Sequence, residues 1–184
     1  MKIADIEFED DAFKACVLEI GFEETEEVEK LVCRKKGITS AKGIESFTNL
    51  KLLDLTRNNL ESLDVSKNLL LEELFVGNNE LQSLDLSKNI NLIHVEVFIN
   101  ELSYLDVSKN TKLEDLYANK NELNKLDVRN NSELTDLRLS NNEIEDIDLS
   151  RNRMLEKLVL DKNPLDQDTL MVIKDQFQDK ELIV

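Results

Sequence analysis

The chain has 184 residues, with 39 acidic against 23 basic side chains and a formal net charge of −16. That length is one ordinary domain, and the acidity argues against nucleic-acid binding, which needs a basic footprint, and against docking on anionic membranes. Aromatic residues make up only 5% and Trp is absent, so an aliphatic core is expected, and no stretch approaches the roughly 18 apolar residues of a membrane span.

The start, Met1-Lys2-Ile3-Ala4-Asp5, runs straight into acids without the apolar region of a secretory leader. Residues from about 9 to 22 place Phe13, Cys16, Val17 and Ile20 on one helical face, with Gly21 as the stop. This predicts an N-terminal helical cap over residues 1–30. The same stretch holds eleven acids against three bases, densest at Glu23-Glu24-Thr25-Glu26-Glu27. The run reads either as a solvated surface or as a means of steering a basic partner. Cys16 and Cys33 match neither a C-x-x-C nor a zinc spacing. They read as reduced, partly buried thiols, and with no leader in sight the expectation is a cytoplasmic protein. Leu31-Val32-Cys33 opens an incomplete first coil, with Ile38 at its corner.

The strongest signal is internal repetition. Asn58, Asn79, Asn100, Asn121, Asn142 and Asn163 lie 21 residues apart, and so do Asn68, Asn89, Asn110, Asn131 and Asn152. Each closes a frame L-x-x-L-x-L-x-x-N, as in Leu53-x-Leu55-x-x-Asn58 and Leu63-Asp64-Val65-x-x-Asn68. The unit is a nested pair of 10- and 11-residue halves. Apolar residues at i and i+2 leave a short strand on one side, and the leucines around them turn the same way. One coil cannot bury that face, whereas a stack of coils can. An Asn at each corner can bond backbone groups that the turn leaves unpaired.

On these residues the chain resembles the bacterial leucine-rich-repeat proteins of nested 10/11 periodicity, the internalin-J-like and Bacteroidetes repeat proteins with L-x-x-L-D-V-S-x-N units. The segment Gly43-Ile44-Glu45-Ser46-Phe47-Thr48-Asn49-Leu50 is similar to their first repeat. The resemblance implies a leucine-rich-repeat solenoid, mostly short parallel β-strands on two faces, with a helical cap at each end. The solenoid is assigned to residues 31–165. Relatives of this kind are mostly secreted and often carry Cys in the variable strand; this chain shows neither trait.

Repeats can be aligned with one another. In the second series the outward residue is always Asp (Asp64, Asp85, Asp106, Asp127, Asp148), usually followed by Ser and then a base, and a uniform column reads as architecture. In the first series the matching columns vary: Asp54, Phe75, Glu96, Tyr117, Arg138 and Val159; then Thr56, Gly77, Phe98, Asn119, Ser140 and Asp161; then Arg57, Asn78, Ile99, Lys120, Asn141 and Lys162. Phe75, Phe98, Ile99 and Tyr117 fall on three successive coils, with His94, Glu96, Lys120 and Arg138 among or around them. An aromatic centre with a charged rim suits a protein-binding hot spot. The competing reading is that the rings ladder against one another and stabilise the sheet. Leu69, Leu70 and Ile90 are placed at the adjoining turn, as a further extension of the patch.

After Pro164, residues from about 167 to 178 form a second amphipathic pattern with Leu170, Ile173 and Phe177 inward, and 181–184 reads as a returning strand. This is the C-terminal cap, 166–184. With both ends capped, the expectation is a whole protein with no room for a catalytic domain. The single His, the want of a Gly-rich phosphate loop and of H-E-x-x-H lead to no catalytic residue, metal or cofactor being assigned. The expected function is therefore a non-enzymatic protein-binding module. Its most concrete form is a cytoplasmic inhibitor or immunity protein that neutralises a basic toxin or effector. The alternative is a secreted or surface effector or adhesin that binds host proteins or glycans.

Overall fold

The computed structural model describes residues 1–184. Its backbone is one eight-stranded parallel sheet in chain order: β1 (Lys30–Val32), β2 (Leu52–Asp54), β3 (Glu73–Phe75), β4 (His94–Glu96), β5 (Asp115–Tyr117), β6 (Asp136–Arg138), β7 (Lys157–Val159) and β8 (Glu181–Ile183). Neighbours from β2 to β7 pair at the repeat offset, Leu53 beside Leu74 beside Val95 beside Leu116. The middle residue of each of these strands is fully buried, as are the leucines that precede and follow it within the coil, and all join one continuous core.

The sheet covers one side of the solenoid only. The expected second face of strands is not formed: Leu63-Asp64-Val65 and its equivalents are extended segments and turns. The chain here closes on itself within each coil, Asn68 N–H bonding Val65 O and Leu71 N–H bonding Asn68 O, and the uniform Asp column adds a further local bond. Asp64 Oδ1 accepts the backbone N–H of Ser66 at 2.8 Å, and Asp85, Asp106, Asp127 and Asp148 bond the residue two positions on in the same way. An N–H held locally in such a turn is lost to a ladder between coils. These carboxylates are thus turn-formers rather than a self-repelling ladder. The backbone N–H bonds hold Asp64 and Asp85 below the usual carboxylate range, and the Arg129 guanidinium holds Asp127 there, at about 2.

The corner asparagines behave as the repeat suggested. Asn121 Nδ2 donates to the carbonyls of Val97 and Ala118, and its Oδ1 accepts from Leu102 N–H at 3.1 Å. In the other column Asn110 Nδ2 donates to the carbonyls of Leu86 and Asn89. Apart from the Asn121 bond to Ala118 O, these bonds cross from one coil to the next, so each asparagine rivets two coils.

At the N-terminal end, α1 (Asp11–Glu19) buries Phe13, Cys16 and Val17. Asp10 caps it, one carboxylate oxygen accepting Phe13 N–H at 2.8 Å and the other accepting from the amide and hydroxyl of Thr39. Gly43 sits at φ +105, and a Cβ there would fall 2.8 Å from Ile6, so glycine makes room for the chain ahead of α1. Docking α1 on the first coil brings the Cα atoms of Cys16 and Cys33 to 5.9 Å, and the two are joined by a disulfide. The expected reduced thiols are therefore corrected. Several N-terminal acids are also less free than expected: Glu19 pairs with Lys36, Glu29 with Lys51 and Glu9 with Lys42. At the other end α2 (Gln167–Gln176) is capped by Asp166, and Ile173 and Phe177 close the core. The cap is continuous with the solenoid, because β8 extends the same sheet.

Candidate functional site

Each strand of the sheet presents two outward residues about its buried centre. The register aligns Glu73, His94, Asp115, Asp136 and Lys157 in one row, and Phe75, Glu96, Tyr117, Arg138 and Val159 in the next. Rows repeat at about 4.8 Å, the strand spacing, which lets long side chains bridge adjacent coils.

His94 is the hub. Its ring lies between Phe75 and Tyr117, with both ring centroids 5.1 Å away. Nε2 is 3.2 Å from Glu96 Oε1 and Nδ1 is 3.3 Å from Asp115 Oδ2. Burial opposes charging of the imidazole, but Glu96, Asp115 and Glu73 together outweigh it and raise His94 above the ordinary histidine range. Tyr117 continues the strip. Its hydroxyl donates to Asp136 Oδ2 at 3.2 Å, and the Arg138 guanidinium lies 4.1 Å from its ring centroid while clasping Asp136. Burial, assisted by the Asp136 charge, pushes the Tyr117 phenol up to about 12. Four coils are thus joined by aromatic and charged groups drawn from both rows, each half-buried.

Six of the eight sequence-assigned residues fall at this place or on its border: Phe75, His94, Glu96, Tyr117 and Arg138 form the strip, and Phe98 lies just past the end of β4. Ile99 and Lys120 occupy corner positions further along. The rings do not stack on one another; His94 separates Phe75 from Tyr117. Phe98 packs back over Gly77 of the preceding coil, where a Cβ would come within 2.6 Å of the ring. Leu69, Leu70 and Ile90 are exposed at the other end of the strands, before β3 and β4, with the His94 strip between them and Phe98.

One column hides a backbone constraint that composition does not reveal. Lys35, Arg57, Asn78, Ile99, Lys120, Asn141 and Lys162 all lie at φ between +52 and +60. Asn tolerates this left-handed region and a β-branched residue does not. Ile99 accepts the strain while placing an exposed apolar side chain beside Phe98. The cations Lys35 and Arg57 stand in the same column on the first two coils, a grouping overlooked amid the overall acidity. Aligning Lys35 with Arg57 in the repeat frame was the available signal.

No protein-family model matches the chain, and no curated protein matches it. Solved structures do. The chain is similar to the functional domain of InlJ from Listeria monocytogenes, a domain that includes a cysteine ladder, at 29% identity and a TM-score of 0.75, over 91% of this chain and 44% of that one. It is also similar to the internalins InlF and InlC2 of Listeria monocytogenes, each at 23% identity, with TM-scores of 0.66 and 0.65; the matches cover 94% and 91% of this chain and 62% and 90% of theirs. The protein is a leucine-rich-repeat solenoid resembling internalin J, and it spans less than half the length of the InlJ chain it matches. Its coils are riveted by asparagine ladders, and its two cysteines lie in the N-terminal cap and at the end of the first strand.

Proposed function

We propose that this protein is a non-enzymatic protein-binding module whose contact surface is the strip Phe75, His94, Glu96, Tyr117 and Arg138, extended by Phe98, Ile99 and Lys120. The observation that carries this reading is the continuous aromatic and charged strip, built from two rows, across four coils on the one face where the repeats vary. Solenoids of this type offer an extended rigid surface for binding, and Tyr and Arg are among the side chains that dominate protein contacts. A ring offers about 150–250 Å² in all; with at most about a third of that still exposed, each adds a gross gain of about 1–2 kcal/mol at roughly 25 cal/mol per Å² before the costs of association.

The protein works, on this reading, in an oxidising compartment or at a cell surface. The Cys16–Cys33 disulfide supports that placement, since such bonds persist outside reducing compartments. The cytoplasmic inhibitor rested in part on reduced thiols and loses that premise, while the net charge of −16, which suits a basic partner, and the aromatic strip still support an inhibitor.

The test has two parts. Thiol alkylation and mass spectrometry of the protein from its native source should recover residues 16 and 33 as a linked peptide; two alkylated thiols would remove the compartment assignment. Crosslinking in the same cells should identify a partner. A protein carrying Phe75→Ala, Phe98→Ala and Tyr117→Ala should then bind it at least about tenfold more weakly with its circular dichroism unchanged. Undiminished affinity would move the site off the sheet face.

A further inference from the structure

The molecule is strongly acidic, yet cations gather at one point of the sheet side. Lys35 and Arg57 occupy successive left-handed corners at φ +54 and +60. The coils are held together there by backbone bonds, Lys35 N–H donating to Thr56 O at 3.1 Å and Arg57 N–H to Gly77 O at 2.9 Å. Neighbouring cations have partners: Arg34 is tied to the buried Asp54, and Lys36 to Glu19. Lys35 and Arg57 have none. Glu96, the only carboxylate lining the same depression, is held by His94.

Two unpaired cations on adjacent coils, about 5 Å apart along the stack, repel each other unless an anion comes between them. Room for one exists. Arg34, Lys35, Thr56, Arg57, Glu96 and Phe98 line a depression of about 350 Å³. Phe98 can form its wall only because residue 77 is glycine, which leaves the ring free to lie across the preceding coil. The rim nearest Phe98 is apolar, since Ile99 is held outward beside it.

We propose that this depression binds the carboxylate of an acidic side chain on a protein partner, with an adjoining apolar residue of that partner covering Phe98 and Ile99. The inference rests on the reading that the sheet face binds protein, and it deepens that reading. Although the whole molecule suits a basic partner, this end of the contact selects a short acidic and apolar segment. The carboxylate lies between the Lys35 ammonium and the Arg57 guanidinium, and screening by salt weakens the contact because both cations face solvent.

The probe is the peptide acetyl-Leu-Glu-Leu-Glu-Leu-amide, titrated into the isotope-labelled full chain and followed by amide chemical shifts. Its glutamine counterpart, inorganic phosphate and a sulfated disaccharide form the other arms. The expected result is movement of the Lys35, Arg57, Gly77 and Phe98 amides with the glutamate peptide and not with the glutamine one. Affinity should fall at least about tenfold in Lys35→Gln with Arg57→Gln, and by a similar factor on raising salt to about 0.5 M. Lys88→Gln, which changes an exposed cation on the turn side, should leave binding unchanged. Equal response to both peptides, or shifts that persist in the double variant, would overturn the proposal, and so would tighter binding of phosphate or sugar than of the glutamate peptide. The peptide assay does not use Phe75 or Tyr117. Loss of the peptide response with partner binding still sensitive to those rings refutes the depression alone, and the reverse outcome refutes the strip alone.

Discussion

Two corners of each coil are held by asparagine, and they differ in completeness. On the sheet side Asn121 uses both ends of its amide, accepting Leu102 N–H and donating to two carbonyls. On the turn side Asn110 donates twice, but its Oδ1 is buried without a partner, as are those of Asn68, Asn89, Asn131 and Asn152. The same division appears in the residues around them. The turn side relies on a local Asp-to-amide bond in every coil and repeats its sequence; the sheet side relies on ladder bonds between coils and varies. Where backbone pairs with backbone, side chains are free to differ, and where a side chain completes the turn, its identity is constrained.

The comparison can be broken at the asparagines. Asn121→Ala strands one buried N–H and two carbonyls, and should cost about 3–4 kcal/mol of unfolding free energy in urea. Asn110→Ala strands carbonyls only, and removes an oxygen that had no partner, so about 2 kcal/mol is expected. Equal losses would mean that the two corners are equivalent after all.

A sharper contrast comes from Ile99, where the sheet side departs from its own backbone preference. Ile99→Asn relieves a left-handed β-branched residue and should raise stability by about 1 kcal/mol, while weakening the partner contact. A variant that lost stability as well would show that Ile99 is held there by packing. On the turn side Asp64→Ala should lower stability by about 0.5 kcal/mol, discounted for the exposure of the carboxylate, whereas Asp64→Asn keeps the acceptor and should be close to neutral. If both variants lose stability alike, charge rather than the turn bond sets the column.

The smallest effect concerns His94. Its folded pKa is raised above the unfolded value of 6.5. Protonation therefore contributes stability that is fully present below pH 6.5 and is lost as pH rises through the folded value. Thermal midpoints of the protein and of His94→Gln should differ most in mildly acid solution and converge above neutrality. Imidazole resonances followed against pH give the value directly, and a titration at or below 6.5 would remove His94 as the hub of the strip.

Much of the architecture was legible before any coordinates. The 21-residue period, the corner asparagines, the caps bearing Phe13 and Ile173 and the variable columns all follow from local spacing, because each coil repeats the same bonds. The expected second sheet failed because the backbone there bonds within its own coil, Asn68 N–H to Val65 O and Leu71 N–H to Asn68 O, and is not free to pair with the next coil. The site was half legible. Phe75, Glu96 and Tyr117 could be aligned in the repeat frame, but the sandwiching of His94 between two rings depends on register and rotamer together.

The sequence by itself determined the solenoid, since a repeated apolar frame can be buried in only one way, by stacking. Tertiary structure alone decided what lies between distant parts of the chain. Docking of α1 brought Cys16 to Cys33, stacking set Lys35 beside Arg57, and Gly77 made room for a ring from the next coil. None of these pairs is close in sequence, and each depends on where the backbone of one coil leaves space or charge for the next.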